Sequence, residues 1–334
     1  MQTVAGMSRH DAATPGDPAS DARAHRPVLL HPLIQHLQPQ AGQTVVDGTL
    51  GGGGVTAALA DRVRPGGRVI AIDRDPDAVA AAARRFAADS VITVRHGDFA
   101  ELDHIARDAG AGLVGAVALD LGVSSMQIDT ASRGFSFMLE GPLDMRMDPS
   151  DPETAAAIVN SWDEHELATL LRDLGGERFS RSIARAIVRR RERGDIITTG
   201  ELRRVVEAAV PRRAWPARIH PATKTFQALR IAVNRELERL EQGLQAAIRI
   251  LRPGGRLGVI SFHSLEDTLV KNTLHVAAQT CTCPPQQSHC TCAHRATLSI
   301  ITRKVIRPDA AELAANPRAR SARLRVAEKL TGGT

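Results

Sequence analysis

The sequence predicts an α/β fold: a seven-stranded, mostly parallel sheet with helices on both faces, interrupted by an inserted helical subdomain. Three observations predict it. Strand-like and helix-like segments alternate from residue 44 to residue 121, separated by Gly, Pro and Asp turns. Within that stretch a β-branched run ends in Asp47 and spills into Gly48-Thr49-Leu50-Gly51-Gly52-Gly53-Gly54, followed by an apolar, helix-compatible segment. The alternation then stops over residues 125–224 and resumes with one long helix and three further strands.

Residues 45–47 read as the first strand and residues 55–63 as its helix. Pro65-Gly66-Gly67 turns into a second strand over 68–73. A helix is expected over 78–86 and a third strand over 91–94. The fourth strand, 114–121, is nearly continuous in apolar residues, as suits a parallel strand buried on both faces. Residues 125–152 are rich in Gly, Pro, Met and Asp. Residues 153–223 carry helical periodicity broken at Gly175-Gly176, Gly194, Pro211 and Pro216. A single long helix is expected over 225–251, ended by Arg252-Pro253-Gly254-Gly255, and a fifth strand over 256–262. Strands over 298–302 and 322–327 complete the sheet, their late position suiting antiparallel pairing. The expected organisation is a disordered tail over 1–25, a core domain built from 26–124 and 225–330, and an inserted helical subdomain over 125–224.

Composition narrows the class. Hydrophobic residues make up 43% of the 334, ample for a core, whereas aromatic residues make up 3% and Tyr is absent, so aliphatic packing must dominate. No apolar run approaches the roughly 18 residues that span a bilayer. Residues 1–25 lack a secretory hydrophobic stretch, and Asp11, Asp17 and Asp21 argue against a transit peptide, so a cytoplasmic location is expected. The net charge of +6 is unevenly spread. Residues 172–193 hold eight Arg against three acids, residues 201–224 six basic side chains against two acids, and residues 303–325 seven against two. Three basic segments on an otherwise acidic body suggest a polyanionic partner. The alternative is a general arginine bias, since only Lys224, Lys271, Lys304 and Lys329 are lysines.

The glycine loop by itself is ambiguous. A dinucleotide fingerprint counted from Gly51 and Gly53 would need a third glycine where Thr56 stands, and no Gly-Lys-Ser/Thr marks a P-loop. Asp73 ends the second strand, where a carboxylate can accept hydrogen bonds from both ribose hydroxyls. Its alternative is a helix start in which Asp75 is the cap. Asp98-Phe99 follows the third strand, an acid and an aromatic suited to adenine, and Asp120 ends the fourth. Acids at four successive strand ends resemble the layout of class I S-adenosylmethionine-dependent methyltransferases.

Further blocks narrow the resemblance. They include His25-Arg26-Pro27-Val28-Leu29-Leu30, Asp47-Gly48-Thr49-Leu50-Gly51, Leu119-Asp120-Leu121-Gly122-Val123-Ser124-Ser125, Arg133-Gly134-Phe135-Ser136-Phe137, Gly141-Pro142-Leu143-Asp144-Met145-Arg146-Met147-Asp148, His220-Pro221-Ala222-Thr223-Lys224-Thr225-Phe226-Gln227, Ser261-Phe262-His263-Ser264-Leu265-Glu266-Asp267 and Asn316-Pro317-Arg318-Ala319-Arg320-Ser321. Over residues 25–328 the chain resembles the bacterial 16S rRNA cytosine-N4 methyltransferases. The resemblance implies methylation of the exocyclic amine of one decoding-region cytosine in 16S rRNA, in the small ribosomal subunit or its precursor, with S-adenosylmethionine as donor and neither DNA nor membrane as partner. Carried over by position, the family's cofactor contacts fall at Gly53, Gly54, Asp73, Phe99, Asp120 and Gln127. Many members have His where this chain has Val55, which is kept as a backbone contact.

Cytosine N4 shares its lone pair with the ring, so its methylation calls for acceptors that localise the pair and take up positive charge. Many amino-methyltransferases place Pro-Pro-aromatic after an Asp, Asn or Ser at this point. Here Leu121-Gly122-Val123 follows Asp120, which leaves the acceptor open and sets the chain apart from DNA amino-methyltransferases. Asp120 is expected nearest the reaction, with Asp144 a second acceptor whose alternative is a turn contact or a salt bridge with Arg146. Phe135, Phe137 and Trp162 can stack on an unstacked base or serve as core. Arg181, Arg185 and Arg189 recur on one helix face and can follow phosphates, or form a plain solvated face. Lys224, Arg318, Arg320, Arg323 and Arg325 are the other RNA-facing candidates. His263 invites a catalytic reading, but Ser264 and Asp267 read as a helix N-cap pair with Glu266 in the first turn. Cys281, Cys283, Cys290 and Cys292 suggest a metal before disulfides, although Cys-x-Cys is tighter than the usual zinc knuckle. A redox-labile loop or plain turn remains open there, peripheral to catalysis.

Overall fold

The computed structural model describes residues 27–331 apart from 218, 285 and 288. The expected tail over 1–25 lies outside the described residues. The order of elements is α1 (Leu30–Leu37), β1 (Thr44–Asp47), α2 (Gly54–Val63), β2 (Arg68–Asp73), α3 (Pro76–Arg85), β3 (Ile92–His96), α4 (Leu102–Asp108), β4 (Val114–Asp120) and α5 (Ser125–Asp129). Five helices follow, α6 (Ala155–Ser161), α7 (Glu164–Asp173), α8 (Ser180–Arg191), α9 (Thr199–Ala209) and α10 (Thr223–Val233). The chain then returns through α11 (Glu236–Ile250), β5 (Leu251–Ser261), α12 (Ser264–Ala278), β6 (Leu298–Ile300), α13 (Ala310–Ala315) and β7 (Arg323–Lys329).

The seven strands form one sheet in the order β3-β2-β1-β4-β5-β7-β6, with β1 to β5 parallel and β7 antiparallel to both β5 and β6. This is the α/β fold expected of the sequence. From β1 the chain winds outward through β2 and β3, then crosses back to β4 on the other side of β1. The reversal opens a crevice at the carboxyl ends of β1 and β4, where ligands of such sheets bind. Both faces of the sheet are covered. Ile70, Val117, Leu119 and Leu257 face α11 and α12 residues such as Leu244 and Leu274 in one buried cluster. Val45, Val69 and Ile260 meet Leu33, Leu37 and Leu59 of α1 and α2 in another. Full burial of each such side chain contributes about 1.5–3 kcal/mol. The helices α6 to α10 enclose a separate cluster that includes Ile158, Leu167, Ile183, Leu202 and Phe226.

Three local expectations are corrected. The single helix over 225–251 is two helices, because Arg235 adopts a left-handed conformation with φ 48°. The fully buried Asn234 holds the break: its Oδ1 accepts from Met147 N at 2.8 Å, and its Nδ2 donates to Met145 O at 2.8 Å and Arg230 O at 2.9 Å. Apolar spacing continues across the break, so periodicity alone could not reveal it. Arg252-Pro253-Gly254-Gly255 does not precede β5 but bulges within it: Val114 pairs with Leu251 and Ala116 with Arg256, leaving residues 252–255 outside the ladder. The cap of α12 is His263 rather than Ser264; Glu266 Oε2 accepts from His263 N at 3.2 Å to close a capping box, and Asp267 bonds Arg325 at 2.7 and 3.1 Å.

Candidate active site

At the crevice lies a cavity of about 440 Å³, the size of a small-molecule site. Asp47, at the end of β1, lies behind the lining loop 48–54. That side chain is wholly buried, accepts from Thr56 Oγ1 at 2.6 Å and from Thr49 N at 3.2 Å, and so ties the glycine loop to α2. Burial pushes its pKa up to about 6, partly offset by these hydrogen bonds. Thr49 Oγ1 in turn accepts from Asp120 N at 2.6 Å, fastening the loop to β4. Gly53 caps α2 with φ 76°, and a Cβ at Gly54 would lie 2.3 Å from Pro27 Cγ, so neither position tolerates a side chain. Gly54 and Val55 are on the cavity wall. Gly53 is not among the lining residues, and a Cβ there would strike Phe86 at 2.8 Å.

Asp73 stands on the wall at the end of β2. Its Oδ2 accepts from Gly51 N at 2.7 Å and its Oδ1 from Asp75 N at 2.9 Å. Burial pushes its pKa up, while the two backbone donors act the other way. The helix-start reading holds for Asp75, which caps α3 through Asp77 N at 3.0 Å, and Asp73 lines the cavity beside it. Gln127 also lines the cavity and donates to Asp75 at 2.7 Å from a capping box with Ser124. Phe99 also lines the cavity, its ring packed close against Gly243 of α11. Asp98 beside it caps the short turn Phe99–Glu101 and is held by Arg239, so the acid of the pair serves structure.

Asp120, at the end of β4, also lines the cavity. Its Oδ1 is buried and has no hydrogen-bond partner among the described residues. Burial pushes its pKa up to about 8, reinforced by the charges of Asp47 and Glu266. An unpaired buried acceptor costs about 1–3 kcal/mol, so this atom is poised for a donor or cation that the protein itself does not supply. The arginines around the cavity are already engaged. The partly buried Arg230 grips Glu236 at 2.7 and 2.9 Å, Arg74 meets Asp151, Arg239 meets Asp98, and Arg318 meets Asp129 at 2.8 Å. A ligand with hydroxyls for Asp73, a flat ring for Phe99 and a positive centre near Asp120 fits these residues.

The other expected residues are scattered. Asp144 is absent from the lining and bonds Arg146 through both oxygens at 2.9 and 2.8 Å, the salt bridge that was its alternative. Burial opposes its ionisation, but the Arg146 hydrogen bonds prevail and hold it below the usual carboxylate range. Phe135, Phe137 and Trp162 pack on the helical cluster, and Phe137 stacks on His220 with centroids 4.9 Å apart. Arg181, Arg185 and Arg189 are exposed along α8, with Arg185 3.3 Å from Glu164. Lys224 Nζ donates to Gly176 O at 2.8 Å. Arg318 reaches the cavity wall and Arg320 is exposed beside it.

Sequence reasoning missed Arg230 and Glu236 and gave Glu266 only a capping role, yet all three line the cavity. A lone charge inside the apolar run 226–233 was the available signal for Arg230. Glu266 is buried; burial opposes its ionisation, but His263, Arg230 and Phe262 N at 2.8 Å outweigh it and keep its pKa low.

Comparison with known proteins adds the following. The model of a family described as the MraW methylase family matches residues 22–330. Ribosomal RNA small subunit methyltransferase H of Geobacter sulfurreducens is 48% identical over 308 residues, covering 92% of this chain and 99% of the relative. The protein of the same name from Trichlorobacter lovleyi is 47% identical over 309 residues, covering 92% and 98%. Among solved structures, an rRNA methylase from Streptococcus thermophilus aligns at 12% identity with a TM-score of 0.39, covering 96% of this chain and all of that one.

Proposed function

The chain belongs to the MraW methylase family, and from that footing we propose that it methylates the exocyclic N4 of a single cytosine in the decoding region of 16S rRNA. The coarser activity, S-adenosylmethionine-dependent methylation of small-subunit ribosomal RNA, accords with the relatives' names and the family. The observation that carries the finer reading is Asp120: a buried, unpartnered carboxyl oxygen at the switch point of the sheet.

S-adenosylmethionine, when bound, supplies an electrophilic methyl group on a positively charged sulfur. Asp73 would hold its ribose hydroxyls, Phe99 its adenine face, and the loop at Gly54 and Val55 its main body through backbone contacts. Gly53 shapes that loop from behind. Asp120 would accept an N–H of the cytosine amine, localising the lone pair on N4 and offsetting the charge that grows there. As the N–C bond forms, the C–S pair returns to sulfur, and N4 gives up one proton to Asp120 or water. Asp120 must be ionised to take that proton, and a nearby positive centre offsets the burial, reinforced by the charges of Asp47 and Glu266, that keeps it protonated. Asp144, engaged with Arg146, orders the loop beside the site instead of reaching the reacting atoms.

The substrate reading adds the basic surface. Arg181, Arg185 and Arg189 on α8, with Lys224, Arg318 and Arg320, would follow RNA phosphates, and residues 125–224 would form the substrate-recognition part around a catalytic core of 26–124 and 225–330. The test is transfer of labelled methyl from S-adenosylmethionine to small-subunit particles lacking the modification, followed by digestion to nucleosides. Label on N4-methylcytidine at one decoding-region position supports the proposal; label on another atom or nucleotide overturns it.

A further inference from the structure

We propose that Cys281, Cys283, Cys290 and Cys292 form a structural zinc site that fastens the segment between α12 and β6. All four sulfurs lie within 4.8 Å of one another. Cys281 Sγ is 3.5 Å from Cys290 Sγ and 3.8 Å from Cys292 Sγ, and Cys290 Sγ is 3.6 Å from Cys292 Sγ. A tetrahedron with Zn–S bonds of about 2.3 Å has edges of about 3.8 Å, whereas a disulfide brings two sulfurs to about 2.05 Å. Three sulfurs sit at about such edge lengths and Cys283 Sγ lies within 4.8 Å of each, a spacing that suits four ligands around one ion.

Backbone donors point at the same sulfurs. Cys283 N reaches Cys281 Sγ, Thr282 N reaches Cys292 Sγ and Thr291 N reaches Cys283 Sγ, each at 3.4 Å. Such N–H groups stabilise thiolates and orient them toward a metal. Ala293, directly after the last cysteine, has φ 50°, a left-handed conformation that a residue with a Cβ keeps only when its surroundings enforce it. The tightness of Cys-x-Cys is no obstacle, since each pair comes from a different arm of the segment and the two arms converge.

Apolar packing does not hold this stretch together. Residues 279–297 contain no aliphatic side chain larger than Ala or Pro, so apolar burial cannot offset the entropy of ordering them. Residues 268–308 contain no Asp or Glu, while Lys271, His289, His294 and Arg295 are present. Four thiolates around a divalent ion carry a net charge of −2, which such surroundings favour. Soft thiolates in tetrahedral array select zinc, and binding releases the thiol protons. The α12 helix spans roughly 22 Å at 1.5 Å per residue, and Glu266 at its start lines the cavity while the cysteines follow its end. The site is therefore structural, and donor binding does not depend on it.

The full-length protein, produced with zinc in the medium and purified under reducing conditions without chelator, is assayed for metal by mass spectrometry and for free thiols. One zinc per chain, with all four thiols shielded until a chelator removes it, is the expected result. Cobalt(II) in exchange should give the intense visible absorption of a tetrahedral thiolate site. Cys283→Ser combined with Cys290→Ser should abolish metal retention and leave affinity for S-adenosylmethionine within about twofold, a change of under ~0.5 kcal/mol. Zinc-free protein with four reactive thiols, two disulfides by mass, or metal retained by the double variant would overturn the site. Should the variant not fold, the wild-type metal content and thiol count decide the matter.

Discussion

Asp120 is the residue on which the proposed chemistry turns, and its burial has a consequence for stability. Its carboxyl has a pKa of about 8 in the folded chain, against an ordinary 3.8. An acid raised in this way contributes stability that is fully present below its unfolded pKa and is lost as pH rises through the folded value. Between about pH 4 and pH 8 the ligand-free protein should therefore lose up to about 1.4 kcal/mol per pH unit through this group. Asp120→Asn should flatten that dependence in denaturation curves taken across the range; an unchanged slope would mean that Asp120 is ionised throughout. Asp73 and Asp120 were legible in the sequence because strand ends are marked by apolar runs, and an acid just after such a run faces the crevice. Arg230 and Glu236 were not, because their direction depends on a helix break that periodicity does not show.

That break makes the prediction at the scale of the element. Asn234 closes α10 through a hydrogen bond to Arg230 O, opens the way to α11, and fixes the loop carrying Met145 and Met147 through two more. Asn234→Ala leaves Met147 N and Met145 O without partners in a buried place, so chemical denaturation should show a loss of about 2–4 kcal/mol with an unchanged m-value. A loss below about 0.5 kcal/mol, the usual range for a surface change, would contradict this role. On α8 the prediction concerns binding. Arg181, Arg185 and Arg189 project from the face opposite the buried Ile183 and Ile187. Replacing all three with Ala should lower affinity for small-subunit RNA and reduce the salt slope by about 0.7–0.9 for each phosphate no longer neutralised. Equal slopes for both proteins would remove α8 from the RNA surface. Helix boundaries inside 153–223 were readable where Gly or Pro breaks the chain. The stop at Trp162 was not, because there a capping box of Asp163 and Glu166 interrupts an otherwise periodic stretch.

For the whole molecule, the sheet order explains how the proposed donor pocket and the proposed RNA surface can lie side by side. The switch between β1 and β4 opens the cavity, and the helices that leave the sheet after β4 return beside it through α10 and α11, bringing Arg230 and Glu236 to its far wall. Alternation of strands and helices made the order of elements legible. Their joining at a bulge in β5 and a cap on His263 depends on tertiary pairing that local signals do not carry.

In the proposed reaction the acidic rim divides its work, Asp73 gripping the donor and Asp120 serving the transfer. Donor affinity by calorimetry, paired with single-turnover transfer to small-subunit particles, tests it directly in Asp73→Ala and Asp120→Asn. Asp73→Ala should weaken donor binding by about 10–100-fold, or 1.4–2.7 kcal/mol. Asp120→Asn should bind the donor within about tenfold of the wild type while transferring at least ~100-fold more slowly, a rise of about 2.7 kcal/mol in the barrier. Undiminished transfer by Asp120→Asn would contradict the account.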